Sequence, residues 1–235
     1  MTAAWWSAGT SVEAYTALGN PLEWQLAYPE LFERMGFGNP LFEGPVLDYG
    51  CGPGKVAAHL AERYGYDVVG CDVSIEMIAL AKRDNATPRT TFTSIRKPVL
   101  EDYPSEYFGA AICTFVLCVL GAPEQHVDLV REVRRLLRPG APFGLVVPHP
   151  DSSGVQFSTC RSGDPDVTYH AGDPMTTRLT AGGTDLTIQD FFWPTEWYRS
   201  LLEDNGFSSV TAYAPLPKDP AEPDRAPFLI VAGRR

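Results

Sequence analysis

Positive charge is scarce in this chain. Nineteen Lys and Arg stand against 29 Asp and Glu, for a formal net charge of −10 and a pI near 4.8. A surface of that sign repels phosphate backbones and anionic bilayers, so neither nucleic acid nor membrane is expected as a partner. Long hydrophobic runs are missing too, and nothing approaches the roughly 20 apolar residues that span a bilayer. Met1–Ser7 lacks the basic start and apolar core of a secretory signal, which leaves the cytoplasm as the expected location. The five cysteines are odd in number and show no C-x-x-C spacing. A disulfide framework and a metal site are therefore not expected, and the cysteines suit small buried hydrophobes in a reducing compartment.

What is present is enough apolar sequence for one large domain over residues 1–235, with 44% hydrophobic against 20% charged residues. The chain is organised around Val46-Leu47-Asp48-Tyr49-Gly50-Cys51-Gly52-Pro53-Gly54-Lys55. Val46 and Leu47 open a buried strand, and Asp48 sits near its C-terminal end, where parallel sheets present ligand sites. Gly50, Gly52 and Gly54 form a tight turn of bare backbone, and Val56, Leu60 and Ala61 then share one helical face. A small ligand can lie against N–H groups at the mouth of that helix. The spacing is G-x-G-x-G behind an acidic residue, not the G-x-G-x-x-G that carries a dinucleotide pyrophosphate. An anion at Asp48 favours a ligand with cationic groups. A second strand, Asp67–Asp72, ends on an acid about 20 residues after the turn, placed to accept both hydroxyls of a ribose. Ser74 suits the N-cap of the next helix, whose apolar side carries Met77, Ile78 and Ala81.

D-x-G-C-G-P-G followed by D-x-S-x-x-M-x-x-x-A resembles the first two motifs of the class I S-adenosylmethionine (SAM) methyltransferases. The likeness spans most of residues 46–147 and, more loosely, 193–233. It implies a doubly wound, Rossmann-like α/β fold with a seven-stranded sheet, mostly parallel with an antiparallel last strand. It implies SAM as cofactor and S-adenosylhomocysteine as product. By resemblance, Asp48, Gly50, Cys51, Gly52 and Gly54 hold the methionine portion, Asp72 and Val73 the ribose, and Met77 packs near the adenosine. Thr114, Phe115 and Val116, at the end of a strand over 108–115, face the methionine part. Many relatives place an acid near 94 or 95 to bind the adenine amino group; here Ser94 and Ile95 end the third strand, Thr90–Ile95, and Ser94 or a backbone group takes that role. Gly109 replaces a customary aspartate in the fourth strand.

The remaining segments supply the substrate side. Residues 1–40 form a helical arm rich in aromatics, with helices over 22–27 and 30–35, the second stopped by Gly36 and Gly38. Most of its aromatics, Trp5 and Trp6 among them, pack on the core, and Tyr15 and Tyr28 are candidate lid contacts with substrate. Pro123–Leu137 is a helix whose basic last half, Arg131 to Arg138, makes a solvated face. Strand five, Phe143–Val147, leads to His149, the candidate general base and substrate contact because its ordinary pKa lies near neutrality. A structural histidine held between Pro148 and Pro150 is the alternative. Residues 148–190 form an insertion of loops or a small sheet, with Asp151, Arg161, His170 and Arg178 as polar candidates. Thr195 is placed to cap a helix over 196–202, and strands over 207–213 and 227–232 close the chain.

The expected function is methyl transfer from SAM to an O, N or C acceptor on a small molecule, such as a secondary-metabolite intermediate. Two alternatives stay open: a SAM-fold enzyme using the cofactor structurally for a cyclisation or rearrangement, and a non-catalytic partner subunit. The glycine spacing disfavours a nicotinamide-dependent dehydrogenase.

Overall fold

Alternating side chains along each strand send apolar groups to both faces of a central sheet, and helices cover both faces. The computed structural model describes residues 12–18, 20–39, 43–181 and 184–235; Trp5 and Trp6 lie outside these. The described part of the arm contains α1 (Val12–Leu18), a π-helical turn (Glu23–Ala27) and α2 (Tyr28–Met35). Strands and helices then alternate through β1 (Val46–Tyr49), α3 (Lys55–Tyr64), β2 (Val68–Asp72), α4 (Ile75–Asp84), β3 (Thr90–Ser94) and β4 (Ala110–Thr114). A 3-10 turn (Leu117–Val119), α5 (Pro123–Leu136) and β5 (Pro142–Pro148) follow. The insertion contains a second 3-10 turn (Pro150–Ser152), then β6 (Cys160–Ser162), β7 (Pro174–Ala181) and β8 (Thr184–Phe191). The chain closes with α6 (Thr195–Asp204), β9 (Ser208–Tyr213) and β10 (Phe228–Arg234).

The main sheet runs β3-β2-β1-β4-β5-β10-β9, with β10 antiparallel to both neighbours and the other pairs parallel. This is the doubly wound, Rossmann-like sheet with an antiparallel last strand that the sequence implied. The strand order reverses between β1 and β4, so the carboxyl ends of these strands open a crevice where such sheets bind ligands.

Two buried clusters show the alternation. Leu47, Cys113, Leu145 and Val231 point to one face, against Leu129 and Val133 of α5 and Leu201 of α6. Val46, Ile112, Val146 and Ile230 point to the other, against Leu31 and Met35 of α2, Leu60 of α3 and Ala81 of α4. The second helix of the arm is thus part of the core. It ends at Gly36, whose φ of 73° lets its N–H close the last turn onto Phe32 and Glu33 carbonyls.

Two details differ from expectation, and one is explained. β4 begins at Ala110, and Phe108 contributes only a bridge to Leu137. A Cβ on Gly109 would lie 2.0 Å from the Glu43 carbonyl oxygen, so backbone crossing there explains a glycine in place of the family's aspartate. Pro194, not Thr195, holds the N-cap position of α6, and the buried Thr195 hydroxyl has no hydrogen-bond partner there.

Candidate active site

The glycine turn is built to keep side chains out of a narrow space. Gly50, Gly52 and Gly54 all have positive φ, at 79°, 51° and 82°. A Cβ on Gly50 would fall 2.2 Å from Val116 Cγ2. The Gly50 and Cys51 N–H groups both donate to the Cys71 carbonyl, at 2.8 and 2.9 Å, which ties the turn to β2. Asp72 then braces it: its carboxylate accepts from Gly52 N at 2.9 Å and from Ser74 N at 2.8 Å. Ser74 caps α4 as expected, accepting from Met77 N at 3.1 Å. Burial pushes the Asp72 carboxyl above the usual carboxylate range, against the pull of these N–H groups. Each carboxylate oxygen keeps a lone pair for a ligand hydroxyl.

Two adjoining hollows, of about 740 and 1100 Å³ including their open mouths, lie over this turn. Gly50, Gly52, Thr114, Phe115 and Tyr15 line both. Cys51 and Tyr28 line the smaller one; Asp72, Val73, Met77, Ile95 and Val116 line the larger. Phe115 has a φ of 57°, uncommon for a bulky residue. Its ring meets Tyr28 and Phe228 edge-on, at 6.5 and 5.5 Å between centroids, so the arm, β4 and β10 converge on it.

Other expected residues lie elsewhere. Gly54 starts α3 beneath the Phe92 ring and lines neither hollow. Asp48 is 1% exposed and also lines neither. Its place in β1, two residues after Val46, turns it toward the α3 face. Neither of its oxygens closes a hydrogen bond, and the nearby Ala57 N–H only partly offsets burial, which pushes the carboxyl up to about 7. Ser94 is exposed and outside the hollows, while the adjacent Ile95 points in.

His149 takes the structural place named as the alternative to a general base. Its Nδ1 accepts from Asp151 N at 3.1 Å and caps the second 3-10 turn, and burial lowers its pKa. It lines neither hollow, although Pro148 does. The alternation of β5 continues through the peptide beyond it and carries this side chain away from the cavity. Asp151, Arg161, His170 and Arg178 also stay outside; Arg161 and Arg178 pair with Asp164, and His170 with Asp173.

Two carboxylates that the motifs did not flag do reach the cavity. Glu23, on the π-helical turn, lines both hollows, accepts from the Tyr28 hydroxyl at 3.1 Å, and is pushed up to about 7 by burial. Asp190 on β8 lines the larger hollow, is 3% exposed, accepts from the Thr177 hydroxyl, and is likewise pushed up to about 7 by burial. The signal for Asp190 was present as strand alternation: Leu186, Ile188 and Asp190 share the inward face of β8. Glu23 had no comparable signal, because a π-helical turn shifts the helical register.

Side-chain hydrogen bonds fasten the first part of the described arm. Lys55 Nζ donates to the Thr16 carbonyl at 2.8 Å, and the Thr159 hydroxyl to Asn20 Oδ1 at 2.7 Å. The α1 helix packs on β7 and β8, roofing the cavity from the insertion side.

The site suits a nucleoside carrying positive charge: an aspartate braced against a side-chain-free turn, apolar walls at Val73, Met77 and Ile95, and an unpaired buried carboxylate behind the turn. Comparisons agree. Residues 46–140 match the methyltransferase domain family model. The chain is 38% identical to N-demethylindolmycin N-methyltransferase of Streptomyces griseus, over 97% of this chain and 98% of that protein. It resembles a SAM-bound amino pentose methyltransferase of Micromonospora echinaspora at a TM-score of 0.66 and 19% identity, covering 95% of each chain. A Listeria monocytogenes structure described as a putative SAM-dependent methyltransferase matches at 0.63 and 20% identity, covering 90% of this chain and 99% of that one. The chain belongs to the SAM-dependent methyltransferases. It is an enzyme that transfers the methyl group of SAM. Among the described residues, no helix is long and apolar enough to cross a membrane.

Proposed function

We propose that the methyl acceptor is a nitrogen on a small, partly aromatic secondary metabolite. The carrying observation is the charge of the larger hollow. Glu23, Asp72 and Asp190 line it, and its described lining holds no Lys, Arg or His. Such a wall opposes a carboxylate acceptor and favours a molecule bearing N–H donors or positive charge. The name of the Streptomyces griseus relative, an N-methyltransferase, points the same way.

In this reading Asp72 takes the ribose hydroxyls, Val73, Met77 and Ile95 the adenine, and the Gly50–Gly52 backbone the methionine portion, with Cys51, Thr114, Phe115 and Val116 beside it. Asp48 adds negative potential from behind the turn. Tyr15, Tyr28 and Glu23 form the lid over the reacting centre. The bound cofactor supplies an electrophilic methyl carbon. The protein's task is alignment and exclusion of water, and orientation of this kind lowers a barrier by roughly 7–11 kcal/mol. Residues 1–235 act as one domain, with the arm as lid and 148–190 as the substrate-side insertion. The acidic surface suits a cytoplasmic enzyme that leaves nucleic acid alone.

The test is a product assay with SAM and matched amine, hydroxyl and carboxylate acceptors, N-demethylindolmycin included. Mass spectrometry should find the methyl on nitrogen, with S-adenosylhomocysteine released. Methylation confined to hydroxyl or carboxylate acceptors would refute the nitrogen reading.

A further inference from the structure

We propose that Asp190, set by Thr177 and Ser162, is the group that grips the N–H of the acceptor and takes its proton. The proposal rests on the nitrogen reading above and names the residue that serves it.

The three residues come from the three strands of the small sheet. Ser162 on β6 stands opposite Thr177 on β7, and Asp190 on β8 lies diagonally across, since Thr177 pairs with Ile188. Thr177 Oγ1 lies 2.5 Å from Asp190 Oδ2 and 2.9 Å from Ser162 Oγ. A threonine hydroxyl has one proton, and a carboxylate only accepts. Thr177 therefore donates to Asp190 and accepts from Ser162. This polar chain orients the carboxylate, and no described protein donor reaches Oδ1.

Among the described residues, none gives the carboxylate a counter-ion. The groups facing it from neighbouring elements are Tyr15 of α1, Glu23 of the π-helical turn, Cys118 of the first 3-10 turn and Tyr198 of α6, none of them a cation. Arg178 lies on β7 but is 57% exposed on the other face, near Asp164. A carboxylate 3% exposed with no cation beside it is costly to the fold. A ligand bearing N–H or positive charge offsets that cost. Burial also pushes this carboxyl up to about 7, the range in which a base both accepts a proton and returns it to water.

The chemistry balances. The nitrogen lone pair forms the new N–C bond while the C–S bond breaks, and its electron pair stays on sulfur. The nitrogen gains a methyl group and positive charge, and its proton passes to Asp190 and then to solvent. An acceptor that arrives protonated first surrenders one proton by the same route, which frees its lone pair.

The test uses full-length protein loaded with S-adenosylhomocysteine and two probes sharing one ring system, tryptamine and indole-3-propionate. Calorimetry should show the wild type preferring the amine. Asp190→Asn should erase that preference, weakening amine binding by about 30-fold or more, because a paired buried charge is lost. Asp190→Glu should restore part of it, and S-adenosylhomocysteine affinity should stay at wild type in both variants, which also shows that they fold. Amine binding by the wild type should weaken as pH falls through about 7, where Asp190 becomes neutral. With N-demethylindolmycin as acceptor, Asp190→Asn should lower kcat by about 10²–10⁴-fold. An amine preference that survives in Asp190→Asn, no preference in the wild type (binding of neither probe included), or an unchanged kcat overturns the proposal. If the wild type methylates only oxygen acceptors while the amine preference is Asp190-dependent, the nitrogen reading fails and the binding role of Asp190 stands.

Discussion

Replacing Asp72 with alanine is the most direct test of how this fold holds its cofactor. The side chain accepts two backbone N–H groups, from Gly52 and Ser74, and in the proposed complex also accepts two ribose hydroxyls. Hydrogen bonds to a charged group contribute about 1.5–3 kcal/mol each, so the two ribose contacts together stabilise the complex by about 3–6 kcal/mol. At 1.4 kcal/mol per tenfold, the dissociation constant for SAM should rise by roughly 10²–10⁴-fold. The fold should lose far less. Burial already holds the Asp72 carboxyl above its ordinary range, so the charge is a liability without ligand, and its removal offsets part of the two lost backbone contacts. A net change of about 1 kcal/mol would move the melting temperature by only about 2–4 °C in a chain of this size. Calorimetry with SAM and a thermal melt on the same sample separate the two effects. Asp72→Asn, which keeps one accepting oxygen, should fall between wild type and alanine. A dissociation constant unchanged in a folded Asp72→Ala protein would refute the reasoning.

Gly50→Ala should destabilise the protein by about 2–5 kcal/mol, from about 1–2 for a left-handed alanine and about 1–3 for the overlap with Val116, and should weaken SAM binding because Val116 lines the cavity. Denaturant unfolding with calorimetry checks this, and a wild-type midpoint would contradict it. The Asp48 carboxyl sits near 7 when folded, against about 4 when unfolded. Between those values the folded state binds more protons, so this group's contribution to stability falls as pH rises from about 4 to about 7. Asp48→Asn should therefore raise the melting temperature more at pH 8 than at pH 4.5, and an equal gain at both would count against an unpaired buried charge. His149→Ala should lose a cap on a short turn but keep its turnover, because the ring lines neither hollow. A fall in kcat of about 100-fold or more would return His149 to the role of general base.

The glycine turn and the acid that braces it were legible from local sequence. Gly50, Gly52 and Gly54 shape one turn, Ser74 caps the next helix, and Asp72 ends the strand beside them, all within about 25 consecutive residues. Backbone geometry and capping act over such distances, so spacing alone reveals them. The alternation of apolar residues likewise announced the strands and the two-sided core.

The pairing of carboxylates in the larger hollow came from tertiary packing. Glu23 and Asp190 lie far apart in the chain, and they share a cavity because α1 packs on β7 and β8 while Lys55 and Thr159 pin the arm. A separate backbone crossing at Glu43 gave Gly109 its reason, whereas strand alternation placed Asp48 under α3 and His149 outside the hollows. Local pattern thus determined the side-chain-free turn and the aspartate that braces it. Which charges meet beyond it depended on the docking of an arm against a distant sheet, and free energy of that kind resides in contacts between segments that no short stretch of sequence contains.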